Sequence, residues 1–280
     1  MTALNINRNR LTQALLVILA VPALALPAAC LIYIIVQGIS AMITPAPLTS
    51  DMAFGTDSHL LPQLTGSLLL ALGACLLATP LAIGTALYHQ LLASTQARRS
   101  LDAVMVLLQG TPPIVFGLCG LLVFVHSLQW GVSLLSGAII LAMVVLPLIT
   151  LQTISALNNV EDNQVDAARA LGLRPAQIIW RIWLPQTWPN ILTGVFLGIA
   201  RALSETAPIL FTATVFSGVV WPTSLLSPVT TLQTHIFYLA QEGNNPQAIG
   251  MAWQSALLLI SMVALFSLLA RRLRRLELNT

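Results

Sequence analysis

The sequence predicts an all-α polytopic membrane protein with six transmembrane helices and both termini cytoplasmic. Three observations carry this. Of 280 residues, 57% are hydrophobic and only 8% charged, against about 25% charged in soluble domains, and the mean hydropathy is +0.86. Apolar segments recur with the length of about 20 residues that a helix needs to cross about 30 Å of hydrocarbon. The alternating ~10-residue segments of a membrane β-barrel are absent. Finally, the arginines fall at alternate connections, which orients the spans.

The predicted spans are 14–37, 64–88, 102–126, 132–155, 190–216 and 248–270. Span one follows Arg8 and Arg10 in a cytoplasmic segment, 1–13. Its ALPAAC stretch is signal-peptide-like, but the apolar run continues through LIYIIV to Val36, longer than a signal peptide's apolar region, so an uncleaved anchor is expected. Arg98 and Arg99 separate spans two and three, and Arg169, Arg174 and Arg181 separate four and five. Arg271, Arg272, Arg274 and Arg275 open the tail, 271–280, which could also touch anionic lipid. The connections 38–63, 127–131 and 217–247 carry no Arg, so eleven of twelve lie on one side, the cytoplasmic one.

Prolines occur in nearly every span: Pro22, Pro27, Pro80, Pro112, Pro113, Pro147 and Pro208. They fit kinked helices around a path that opens, and equally ordinary packing kinks. The outer segment 217–247, with Pro222, Pro228 and Gly243-Asn244-Asn245-Pro246, is read as capping the outer mouth or as a solvated loop.

Composition excludes several chemistries. All basic residues are Arg, and without Lys there is neither a P-loop nor a Schiff base. Cys30, Cys75 and Cys119 lie in apolar segments and read as small buried hydrophobes, while His59, His89, His126 and His235 lack metal-ligand spacing. No metal site or catalytic residue is expected in this chain.

The charged residues inside span five, Arg201 and Glu205, pose the main chemical question. A charge at mid-bilayer costs at least ~3 kcal/mol on insertion scales, so their face must look into protein or water. Spacing i, i+4 puts both on one helix face. They are either a self-neutralising structural pair or a site on a translocation path, where Arg201 offers a planar donor fork to an oxyanion and Glu205 holds it while the path is empty. Ser204, Thr206, Thr212 and Thr214 are candidate hydroxyl donors beside them.

The loop 156–189 between spans four and five reads as two helices. Asn158 or Asn159 is expected to cap the first, with Glu161 and Asp162 in its first turn. Gly172 fits the position just past its end, Pro175 the start of the second helix, and Pro185 its end. Asp166-Ala167-Ala168, three residues, Gly172, nine residues, then Ile182-Trp183-Leu184-Pro185 resembles the EAA signature of type I ABC importer permeases, with Asp166 where Glu is usual. The resemblance implies a coupling helix, Asp166 to Gly172 with Ile182, Leu184 and Pro185 behind it, that docks in a groove of a separate ATPase. That ATPase would use ATP and Mg. The family core would be five helices over 64–270, with span one additional.

A second resemblance is narrower. ARALSETAPILFTA is similar to the ARAxGETAPLLFTA stretch of the PstA family of phosphate importer permeases, with Ser204 where Gly is usual. GTPPIVFGL, from Gly110 to Leu118, is similar to that family's VPSIVxGL, and TLQTHIFYLA more loosely to its PVQIYNWA. This implies inorganic phosphate as cargo, with a PstB-like ATPase dimer, a second, PstC-like permease and a PstS-like periplasmic binding protein in a bacterial inner membrane. Nucleic acid has no part in this reading. Other oxyanions such as molybdate, sulfate or phosphonate stay open, as do an ion-coupled secondary transporter with Glu205 as proton carrier and an added signalling role.

Overall fold

A computed structural model describes residues 2–43, 60–215, 221–243 and 245–277, with side chains from Thr12 to Arg275 except at position 162. His59, Asn244 and most of the connection 38–63 lie outside the described residues.

The described chain is a helical bundle. α1 (Thr2–Ile43) stands on its flank, almost wholly exposed. It docks only near its end, on α11 (Pro246–Glu277). There Gly38 lets the two backbones meet, Tyr33 stands edge-on to Trp253 at 5.5 Å, and Gln254 Nε2 donates to the Ala41 carbonyl at 2.7 Å.

The centre is α2 (Leu61–Leu91) against α5 (Leu134–Asn158). One face of α2 is a stripe of alanines, Ala71, Ala74, Ala78, Ala82 and Ala86, each 1% exposed or less. Between helices in lipid there is no hydrophobic gain from association, so small residues that bring backbones close supply the packing. The large side chains sealing this core are Leu70, Leu141, Val145 and Ile149. The core continues onto α8 (Leu184–Leu203) through Ile199, Ala202 and Leu203.

Two predicted spans are not single rods. The segment predicted at 102–126 is α3 (Thr95–Gly110) followed by α4 (Pro113–Gly120) and a π-helical turn, Leu121–Ser127, bent by 92° between α3 and α4. Thr111 precedes Pro112 and is held extended at φ −74°, ψ 125°, because a following proline ring disfavours helical backbone. The segment predicted at 190–216 is α8, which stops at Leu203, and the short α9 (Ala207–Thr212). Pro208 is the cause. In a continuing helix its ring would collide with the Ser204 carbonyl, and it has no N–H to donate there.

Among the described residues, four helices are therefore long and apolar enough to cross a membrane, five if α3–α4 counts as one span. The sixth expected crossing, through α8 and α9, is interrupted.

A third difference lies after Pro175. The expected stop at Pro185 does not occur. α7 (Pro175–Ile178) passes through a π-helical stretch, Ile179–Trp183, straight into α8. The wider π turn lets the chain pass Pro185 near the start of α8 without ending the helix.

The outer segment is not a plain loop. Val229, Thr231 and Leu232 are fully buried, and α10 (Leu232–Gln241) packs on α2 and α11. The carbonyls of Ser227 and Leu225 accept the free N–H groups of Leu134 and Leu135 at the start of α5, both at 2.9 Å. This satisfies donors every helix leaves unpaired in its first turn.

The arginine-bearing ends gather at the opposite end of the bundle. Arg98 and Arg169 line one cleft with Asn158, and Arg271 and Arg274 line another with Asn159 and Gln186. Of the cysteines, Cys75 is buried as expected, whereas Cys30 and Cys119 lie exposed on the outside of the bundle.

Candidate functional site

The break after α8 makes the site. Arg201 sits in the last turn of α8, and Glu205 lies two residues beyond its end. The chain keeps turning for those residues, with Ser204 N–H bonded to the Arg201 carbonyl and Glu205 N–H to that of Ala202. This carries Glu205 back over the helix, and its Oε1 accepts from Arg201 Nη2 at 2.5 Å. The pair forms as expected, although by a helix end rather than on one helix face.

Its two members differ in surroundings. The Arg201 side chain is 50% exposed and that of Glu205 only 10%. Arg201 opens into a cavity of about 300 Å³ lined also by Gln109, Thr111 and Pro113 from the break between α3 and α4, and by Val144, Pro147 and Leu148 of α5. The two proline-made breaks thus meet across one cavity, with a cation on its wall.

The hydroxyls sort differently from the expectation. Ser204 is exposed, but its hydroxyl donates to the Ala200 carbonyl at 2.8 Å. Thr206 is half-buried at the start of α9 with no capping bond from its side chain. Thr212 and Thr214 face the core and donate to Pro208 and Ile209 carbonyls. They are structural hydroxyls, since the short α9 leaves them beside carbonyls to satisfy.

Two features hold the break in place. Gly117 and Gly120 bring α4 onto α9. A Cβ at Gly117 would lie 2.9 Å from Pro208 Cα, and one at Gly120 would lie 2.8 Å from Thr212 Cγ2. The second feature was not visible in the sequence. Gln233 of α10 is buried, and its Nε2 donates to the Leu203 carbonyl at 2.7 Å, the last residue of α8. Its Oε1 lies 2.9 Å from the Ser67 hydroxyl of α2, which also accepts the Leu232 N–H at 2.9 Å. Helix ends leave carbonyls without partners, and here a side chain thirty positions away supplies one. The only sequence signal was a polar residue inside TLQTHIFYLA.

At the arginine-bearing end, α6 (Asp162–Ala170) forms a projecting knob. Asn158 and Asn159 do not cap it. They end α5, and Glu161 is the capping position, without a side-chain bond to the helix. The knob's own end is as expected. Gly172 has φ +78°, its N–H bonds to the Arg169 carbonyl, and Leu173 N–H bonds to that of Ala168, the Schellman pattern. No atom lies within 4 Å of a Cβ placed on Gly172, so backbone conformation alone requires glycine there.

Asp166, Ala167 and Gly172 are exposed. Ala168 is not: it is 5% exposed, packed with Val165, Ile178, Trp183, Leu157 and Ala86. Its smallness serves the join between knob and bundle rather than the outer surface. Asp166 pairs with Arg169 at 3.2 Å, both well exposed, a contact worth well under ~1 kcal/mol. Ile182 and Leu184 are half-buried and Pro185 exposed. Leu171, 81% exposed at the tip, and Trp180, 72% exposed, were missed. Large apolar side chains on a projecting tip were the available signal.

The profile of the family described as "Binding-protein-dependent transport system inner membrane component" matches residues 78–276. A phosphate transport system permease protein PstA of Yersinia pestis is 34% identical over 235 residues, covering 81% of this chain and 74% of that protein. A phosphate transport system permease protein PstA 2 of Mycobacterium bovis is 32% identical over 219 residues, 78% of this chain and 72% of that one. In overall shape the chain is similar to one in a bacterial alginate ABC transporter solved in complex with alginate pentasaccharide-bound periplasmic protein. The TM-score is 0.62 at 15% identity, with 96% of each chain covered.

Proposed function

This chain belongs to the family of binding-protein-dependent transport system inner membrane components and is a permease subunit of an ATP-binding-cassette importer; we propose that its cargo is inorganic phosphate and that Arg201 lines the route. The carrying observation is the half-exposed Arg201 on the wall of the cavity between the two helix breaks, held at 2.5 Å by a buried Glu205. A pair kept only for stability gains little over apolar packing. A guanidinium aimed into an open cavity offers a fork for a tetrahedral oxyanion, and Glu205 keeps it oriented and neutralised between passages. The relatives named as phosphate permeases point to phosphate among oxyanions.

The family assignment disfavours the secondary-transporter reading. In the proposed cycle, a PstB-like ATPase dimer grips the knob from Asp166 to Gly172. ATP and Mg act in that partner. Closure of the dimer displaces the knob, and the helical run from Pro175 into α8 carries the movement to Arg201. A PstC-like permease completes the path, and a PstS-like binding protein delivers phosphate on the far side of a bacterial inner membrane.

The test is radiolabelled phosphate uptake in cells lacking the chain, complemented with wild type, Arg201→Gln or Glu205→Gln. Uptake restored by wild type and lost in both variants, at equal membrane levels, is expected. Unchanged uptake in both would make the pair structural. No uptake with wild type would remove phosphate as cargo and direct the assay to molybdate, sulfate and phosphonate.

A further inference from the structure

A second cavity, about 760 Å³, lies at the arginine-bearing end between α5, α8 and α11. Its wall carries Arg271 and Arg274, the amides of Gln152, Asn159 and Asn190, and the hydroxyl of Thr193. None of its lining residues is acidic, and neither arginine has an ion-pair partner among the described residues. Thr193 is 5% exposed and lines this cavity, and its buried Oγ1 has no hydrogen-bond partner among the described residues. A buried hydroxyl without a partner costs about 1–3 kcal/mol unless something in the cavity pairs with it.

The register of the helices ties this cavity to the one at Arg201. On α8 the cavity touches Gln186, Asn190, Thr193 and Leu197, and the next step of this i, i+4 and i, i+3 series is Arg201. On α5 the Arg201 cavity touches Val144 and Leu148, and this one continues with Gln152, Ser155 and Asn159. The same two faces therefore line both cavities, and Thr193 lies about 12 Å along α8 from Arg201 at 1.5 Å per residue.

We propose that this cavity is a second oxyanion site, in which Arg271 and Arg274 hold a phosphate group against the Asn190 amide and the Thr193 hydroxyl. Two planar donor forks with no acidic residue among those lining the cavity, plus neutral donors, are the groups a tetrahedral oxyanion calls for. The phosphate comes from one of two sources: free phosphate leaving the path, or the headgroup of an anionic phospholipid. The role as an exit station rests on the proposed route past Arg201, whereas binding itself does not.

The test uses the assembled importer in nanodiscs, with radiolabelled inorganic phosphate as the probe and no binding protein or nucleotide. One set of discs contains only phosphatidylcholine. In the other, phosphatidylglycerol is added and its retention is read by native mass spectrometry. Loss of charge-assisted bonds in Arg271→Gln/Arg274→Gln is expected to weaken binding about ten-fold or more. Thr193→Val is expected to weaken it a few-fold. Arg272→Gln/Arg275→Gln, on the same helix but off the cavity wall, should bind as wild type.

Phosphate binding that follows this order identifies free phosphate as the ligand. Phosphatidylglycerol retention that follows it, without phosphate binding, identifies the lipid. If neither follows it, or if the Arg272/Arg275 pair weakens binding equally, the site does not exist. Arg201→Gln separates the two ideas. Normal uptake in that variant removes the route past Arg201 and leaves the cavity result standing, whereas normal cavity binding with lost uptake is expected if both hold.

Discussion

Removing one member of the Arg201–Glu205 pair should not cost the same as removing the other. The Glu205 side chain is 10% exposed, and Arg201 is its ion-pair partner among the described residues. Arg201→Gln strands that carboxylate where water hardly reaches. Breaking a fully buried pair costs about 3–5 kcal/mol; with one side of this pair open to a cavity, roughly 2–3 kcal/mol is expected. Glu205→Gln leaves Arg201 half-exposed, able to turn into the cavity and hydrate, and the loss approaches that of a surface pair, about 1 kcal/mol or less.

The difference, about 2 kcal/mol, corresponds to a midpoint about 4–8 °C lower for Arg201→Gln. The double variant Arg201→Gln/Glu205→Gln should recover most of it, because the stranded charge is gone. The assay is thermal unfolding of the purified complex in one detergent, followed by tryptophan fluorescence. Equal midpoints for the two single variants, or a lower one for Glu205→Gln, would refute the argument from unequal burial. So would a double variant as unstable as Arg201→Gln.

The other predictions concern the supports of the site. Gln233→Leu should lower stability by about 1–3 kcal/mol by leaving the Leu203 carbonyl unpaired, and Ser67→Ala by less; midpoints in the opposite order would deny the bridge its role. Gly117→Leu should force α4 off Pro208 and cost about 1–3 kcal/mol, visible as a lower midpoint and reduced uptake, while the same change at Gly84, where nothing lies within 4 Å, should be mild. Gly172→Val should cost about 1–3 kcal/mol at the knob, because a β-branched residue resists φ +78°. It should reduce ATPase stimulation and uptake with normal membrane insertion; wild-type uptake in that variant would count against coupling through the knob.

The sequence was most informative where a local rule decides the outcome. Gly172 ends its helix in the left-handed conformation, as a glycine placed just past the end of the predicted helix suggested. The arginine asymmetry matches the gathering of Arg98, Arg169, Arg271 and Arg274 at one end. The Arg201–Glu205 pair formed because one turn of chain suffices to bring the two together. Predictions failed where two local rules competed. Pro185 was expected to stop a helix and did not, since a π-helical stretch before it absorbed the conflict. Pro208 was treated as one more kink and instead ended α8. Ala168 reads in the sequence as part of the coupling helix that docks on a partner, and only the fold shows that its own contact is internal. Gln233 lay beyond reach, since no periodicity reports that a residue in the α10 sequence will meet the last carbonyl of α8.

The π-helical stretch Ile179–Trp183 also sets a phase. Successive residues on an α-helix are about 100° apart around the axis, and a π turn takes up about one residue more than an α turn. Everything downstream of it is therefore rotated, relative to the knob, by about one residue's worth of azimuth. The stripe Gln186, Asn190, Thr193, Leu197, Arg201 faces inward with that rotation included. Rewinding the same residues as an uninterrupted α-helix would swing Arg201 about 100° off the cavity wall, whereas removing one residue within 179–183 together with the π turn would leave its bearing unchanged. That wide turn is thus a compass setting for the whole rod, and a related chain one residue shorter there should carry a plain α turn and the same inward stripe.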